Sequence, residues 1–204
     1  MNHSKVRVIV VGLLMLGATR WIYAGSAASE VLRNGGFEEV GPEGCPVAWL
    51  CMGNGERGKH WEVEVVSDAR TGNRALRLMA TAEGRAVVHR SYPYNPQATE
   101  LELGDLVPHR KGRFVFWYKV IKGDSNNIRV YVLPMKPNNL EATATRAVFV
   151  VPPNAPKGEW QRGEVVYDYS KDSGVRAVQP GLRINEGGTP ATSEVLFDDI
   201  SWAE

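Results

Sequence analysis

The side chains able to do acid–base chemistry are few, and most stand as sequence neighbours. Glu38-Glu39 and Asp198-Asp199 are adjacent, so on extended backbone their carboxylates point to opposite faces. Glycosidase chemistry needs two carboxylates across one bond, roughly 5–5.5 Å apart for retention or 6.5–9.5 Å for inversion. Adjacent pairs do not supply that geometry. Glu62 and Glu64 share a face, as the outward residues of a solvated strand do. His3, His60, His89 and His109 show no zinc-site spacing. No Ser sits in a nucleophile elbow, and no Gly-rich loop opens a helix. The run His89-Arg90-Ser91-Tyr92-Pro93-Tyr94 holds groups from which a lyase could be assembled, but reads first as a strand end entering a Pro-rich loop. The chain is therefore read as non-enzymatic, with a small polysaccharide lyase or glycoside hydrolase as an alternative.

The elements that must position these residues are strands. Apolar residues make up 43% and charged residues 23% of 204 residues, with 24 Lys+Arg against 23 Asp+Glu. That balance is ordinary for a globular chain, and the missing basic excess argues against nucleic acid as a partner. Lys5 and Arg7 precede the apolar run Val8 to Ala18, and small residues follow from Ala24 to Ser29. Residues 1–28 read as a secretory signal peptide, too short in its apolar run for a span of roughly 20 residues. An uncleaved N-terminal anchor is the alternative. The expected product is secreted or periplasmic, mildly acidic and monomeric, with no membrane contact once the signal is removed. Export permits a disulfide, and Cys45 and Cys51 are close enough in sequence to close one local loop.

From residue 29 to residue 204 the pattern fits one all-β domain, an antiparallel β-sandwich or jelly roll. Trp61, Val63 and Val65 alternate with Glu62 and Glu64. Arg113 to Val120 is a strand whose outward set is either Trp117 with Lys119 or Phe116 with Tyr118, and the terminal Lys119 favours Trp117. Ile128, Val130 and Val132 oppose Arg129 and Tyr131. Ala147 to Val151 is a continuous apolar run, as expected of a strand covered on both sides. Ala75 to Ala80, Ala86 to Val88, Gly163 to Tyr169, Gly181 to Asn185 and Glu194 to Trp202 complete about nine strands.

The order of short motifs resembles the CenC-type carbohydrate-binding modules, among the galactose-binding-domain-like jelly rolls. Asn34-Gly35-Gly36-Phe37-Glu38 opens the domain, followed by Pro46 and Trp49, Gly72-Asn73-Arg74-Ala75-Leu76-Arg77-Leu78, Gly112 to Val120, and Gly158-Glu159-Trp160. Val195-Leu196-Phe197-Asp198-Asp199-Ile200 closes it. The resemblance implies non-catalytic binding of a polysaccharide or glycan. It also implies a structural Ca²⁺ where the first and last strands meet, with Glu38 and Asp198 as side-chain ligands. Hard oxygen ligands suit that ion. Trp49 and Trp160 match packing positions, and Trp61 shares the face of Val63 and Val65, so all three are expected in the core. Gly35 and Gly36 would serve a turn or a close backbone approach.

Given a glycan partner, strand parity points to a sugar face. Sugar binding combines flat rings against C–H faces with fork-like donors and amides for hydroxyls. Trp117, Arg129, Tyr131, Arg183 and Asn185 supply that mixture and are the expected ligand-binding set. A sandwich used for protein contacts or adhesion would instead expose aromatics without convergent polar groups.

Overall fold

The structure, a computed structural model, describes residues 32–90, 110–136, 141–142, 145–186 and 191–203. The expected signal peptide, Tyr92, Tyr94 and His109 lie outside them. Within the described residues run ten strands: β1 (Trp49–Asn54), β2 (Trp61–Val66), β3 (Ala75–Ala80), β4 (Arg85–Arg90), β5 (Lys111–Lys122), β6 (Ile128–Met135), β7 (Ala147–Val150), β8 (Gln161–Asp168), β9 (Ala177–Ile184) and β10 (Ser193–Ala203). They form two five-stranded antiparallel sheets. The first has the order β1-β4-β9-β6-β7 and the second β2-β3-β10-β5-β8. The chain is an all-β sandwich.

Alternation builds the core. Phe114, Phe116 and Tyr118 of β5 face inward, as do Val130 and Val132 of β6, Leu182 and Ile184 of β9, and Val195 and Phe197 of β10. Phe116 is central, with the rings of Phe149 and Phe197 at 5.4 and 6.1 Å. Gly163, opposite Phe116 in the β5–β8 ladder, lies so close that a Cβ there would collide with the ring. Gly35 shows the expected close approach. Its carbonyl accepts from Ile200 N–H at 2.9 Å, and a Cβ would strike the Ile200 carbonyl. Cys45 and Cys51 are disulfide-bonded across six residues.

Three expectations change. β1 was not foreseen, because its outward residues Leu50 and Met52 are apolar and hide the alternation. β7 is an edge strand rather than one covered on both sides. Phe149 packs on the core while Val148 and Val150 face out, 46% and 42% exposed. Trp49 is core, but Trp160 sits partly exposed with the Lys119 ammonium 5.0 Å from its ring. Trp61 is half-way: it packs against the core while its indole N–H donates to the Gly55 carbonyl.

Candidate functional site

The register of the first sheet lines up two rows of outward side chains across all five strands. One row runs Leu50, His89, Gly181, Tyr131, Val148, and the next runs Met52, Val87, Arg183, Arg129, Val150. With neighbouring strands ~4.8 Å apart, each row spans about 19 Å. The ends are apolar and exposed, Leu50 at 49% and Met52 at 47% on one side and Val148 and Val150 on the other. The middle is polar and deep: Tyr131 is 6% and Arg183 7% exposed. Gly181 leaves a gap in the first row between His89 and Tyr131. A Cβ at Gly181 would stand 3.5 Å from Arg183 Nε, 3.5 Å from His89 Cδ2 and 3.6 Å from His89 Nε2, so both side chains border one point above the glycine.

Those two nitrogens and Arg129 Nε are buried without a hydrogen-bond partner. An unmade hydrogen bond at a buried N–H costs roughly 1–3 kcal/mol, which a satisfied native surface normally avoids. The remaining valences of the face are tied up. Arg146 chelates Glu141 with Nε and Nη2 and reaches Glu186 with Nη1 at 3.1 Å, while Arg183 Nη1 pairs with Glu186. The guanidiniums of Arg183 and Arg146 stand 5.0 and 5.7 Å from the Tyr131 ring centre. Burial would lift the Glu186 carboxyl, but Arg183 and Arg146 hold it below the ordinary carboxylate range. Burial first, and then the Arg183 charge, pulls His89 down to about 4, so the imidazole is neutral at pH 7.

Of the five expected ligand-binding residues, Arg129, Tyr131 and Arg183 converge here. Tyr131 is not the open platform that its parity suggested, because two guanidiniums flank its ring. Trp117 faces outward as expected but on the second sheet, where β5 lies between β10 and β8. Its ring is covered by the Arg70 guanidinium at 3.7 Å. Asn185 falls just beyond β9, with φ of 60°. Its amide donates to the Thr81 and Gly84 carbonyls at 2.7 and 2.9 Å and accepts from Ala191 N–H, so it fastens the β3–β4 turn. His89 and Gly181 were missed as members of the groove. Ala86 to Val88 is apolar throughout, so it has no alternation to mark His89 as outward, whereas a glycine inside a strand does mark close approach.

Glu38 and Asp198 converge on one turn. Asp198, fully buried, accepts from the N–H groups of Arg70, Thr71 and Asp199 at 2.9, 3.2 and 2.7 Å. Glu38 Oε1 accepts from Asn73 and Arg74 N–H at 2.8 and 3.1 Å. Asp199 does not diverge from Asp198 as adjacency suggested. A register shift after Asp198 and φ of 49° at Asp199 bring both onto the same turn, where Asp199 takes the Arg70 guanidinium and the Thr71 hydroxyl. Among the described residues no group of three or more His, Cys, Asp or Glu surrounds a metal-sized point. Any Ca²⁺ would share these carboxylates with five N–H donors.

No protein-family model matches the sequence, and no curated protein does. Solved structures match the fold. The family 11 carbohydrate-binding module of the cellulosomal cellulase Lic26A-Cel5E of Clostridium thermocellum aligns with a TM-score of 0.54 at 15% identity, over 87% of this chain and 95% of that one. The sandwich shares the β-sandwich fold of that module. A family 11 module of the same organism, in complex with a β-1,3-1,4-mixed-linked tetrasaccharide, gives 0.53 at 15% identity over 87% and 97%. A cyclase from Fischerella sp. TAU gives 0.56 at 13% identity over 88% and 100%, so the fold also hosts enzymes. At such identities the likeness is one of fold, and the ligand has to be argued from the site. Among the described residues no helix is long and apolar enough to cross a membrane.

Proposed function

We propose that this chain is an exported, monomeric, non-catalytic carbohydrate-binding module of CenC-like type that holds a polysaccharide or glycan chain across the outer face of the first sheet. The observation that carries this reading is the pair of rows broken at Gly181. Apolar ends at Leu50, Met52, Val148 and Val150 suit sugar C–H faces, and buried unpartnered nitrogens at the centre suit sugar oxygens. The two rows are long enough for several linked rings. Its two carboxylates speak for binding rather than hydrolysis. Glu141 and Glu186 are both clamped by Arg146, and Glu186 is held down where a glycosidase acid needs its pKa raised. Calcium enters the proposal only through the second carboxylate oxygen of Glu38, because both Asp198 oxygens already accept N–H groups.

The test is retention of the purified protein on a broad panel of soluble and insoluble polysaccharides, beside Gly181→Val. Valine suits a strand and occupies the gap without altering charge. Wild type should be retained on at least one glycan class, and Gly181→Val should lose at least tenfold in affinity with its melting temperature unchanged. A folded wild type retained on nothing would sink the reading and leave a protein-contact sandwich. Equal binding by Gly181→Val would move the site off this face.

A further inference from the structure

The groove's charge narrows the kind of glycan, an inference that rests on the carbohydrate-binding reading above. Arg129, Arg146 and Arg183 stand on this face against Glu141 and Glu186. Both carboxylates are already engaged, Glu141 by Arg146 and Glu186 by Arg146 and Arg183. Three guanidiniums against two carboxylates leave a positive surplus among the described residues, and Arg85 adds an exposed fourth at the end of the same strand face. A neutral sugar would satisfy hydrogen bonds here but not the surplus. The nitrogens also converge in a way that suits a compact anion. Arg183 Nε and His89 Nε2 lie 3.5 and 3.6 Å from a single Cβ position over Gly181, and Arg129 Nε stands one strand across from Arg183. Arg Nε–H is a donor only, and a neutral imidazole with its proton on Nε2 is a second one. Two donors at one point match the two oxygens of a carboxylate, with charge-assisted strength.

We propose that the groove binds an acidic polysaccharide, seating the carboxylate of a uronosyl residue in the gap over Gly181 between Arg183 Nε and His89 Nε2, with Arg129 beside it. The sugar rings on either side of that residue lie towards Leu50 and Met52 in one direction and Val148 and Val150 in the other. Glu186 takes no part in contacting the anion. It holds Arg183 by Nη1, which orients Nε towards the gap.

The experiment measures affinity, by titration calorimetry at moderate salt, for polygalacturonate and alginate and for the same polymers with their carboxylates reduced to primary alcohols. A mixed-linked β-glucan and a sulfated dextran are the other arms. Expected is at least tenfold tighter binding to one polyuronate than to its reduced form. Arg183→Gln and Arg129→Gln should each lose most of that preference while melting normally, and the charge-neutral Gly181→Val should lose it too. Equal or better binding to the reduced polymer or the neutral glucan would overturn the acidic-glycan inference and leave the carbohydrate reading standing. Tighter binding to sulfated dextran than to either polyuronate would overturn the carboxylate assignment. Persistence of the polyuronate preference in Gly181→Val would overturn the site, showing attraction by surface charge alone. Binding to none of the polymers would overturn the acidic inference, and absence of retention across the full glycan panel would overturn the carbohydrate reading beneath it.

Discussion

The two outer sheet faces carry similar side chains in different states of completion. On the second sheet, Arg77 is held between Glu64 and Glu194, Lys122 also reaches Glu194 at 3.0 Å, Lys119 pairs with Asp68, and Arg162 with Glu164 at 2.9 Å. Even Trp117 is roofed by Arg70, which is anchored in turn by Asp199. The first sheet also has its ion pairs, yet three buried nitrogens there have no partner, and the fourth such atom among the described residues, Trp202 Nε1, belongs to the core. Charge count does not separate the faces. Unfilled hydrogen-bonding capacity at one point does, and that is what a binding surface needs before its ligand arrives.

The largest effect is expected on the closed side. Asp198→Ala removes the acceptor of three N–H groups at a fully buried position, and should cost about 3–5 kcal/mol in denaturant unfolding. Asp198→Asn keeps one oxygen for Arg70 and Thr71 and should recover part of that loss. A loss under about 1 kcal/mol for Asp198→Ala would break the contrast, because the clasp would then be as incomplete as the groove.

Much of this arrangement is legible in residue order. Parity anchored on the polar Lys119 places Phe114, Phe116 and Tyr118 inward and Trp117 outward, and parity puts Arg129, Tyr131 and Arg183 on outward positions. Parity says nothing about which sheet a strand joins. β5 pairs with β10 and β8, whereas β6 pairs with β9 and β7, and those long-range choices separate Trp117 from Tyr131. Asn185 escapes the pattern because positive φ, which Asn tolerates, ends the strand before its side chain can follow Arg183. The bulge that turns Asp199 back towards Arg70 is equally silent in a local reading.

The next effect belongs to the open side and is read by pH. Folding lowers the His89 pKa from its ordinary 6.5 to about 4, so the unfolded chain binds the extra proton first. Stability from this group is complete above about pH 6.5 and falls as pH drops towards 4, by at most about 3 kcal/mol. Below 4 both states are protonated and the contribution stops changing. Urea midpoints measured from pH 7 to pH 4 should fall through that window, and His89→Gln should flatten the fall. An unchanged slope in His89→Gln would show that partial burial does not depress the His89 pKa.

A paired substitution then sharpens the contrast. Arg77→Met strips a guanidinium from the closed face and leaves Glu64 and Glu194 facing each other, so about 1 kcal/mol of stability should go while glycan affinity stays. Arg183→Met should do the reverse, with affinity lost and stability nearly kept, because Glu186 retains Arg146. Calorimetric unfolding and glycan titration of both variants read the two axes together. If both variants lose stability and neither loses affinity, the two faces are alike and the groove is only another solvated sheet.

The smallest effect is expected from calcium. Ca²⁺ takes 6–8 oxygen ligands at roughly 2.3–2.6 Å, and the two carboxylates offered by the resemblance already receive N–H groups from Arg70, Thr71, Asn73, Arg74 and Asp199. An N–H presents its positive end where an ion needs an oxygen, so an ion would have to turn part of the 70–74 turn around before gaining ligands. Thermal unfolding in millimolar calcium and in chelator should therefore differ by less than about 1 °C, well under the 2–4 °C that ~1 kcal/mol produces in a domain of this size. A saturable rise of several degrees that Glu38→Gln abolishes would instead mean that the turn reverses on binding. The closed side of the molecule would then be completed by an ion, as the open side is proposed to be completed by sugar.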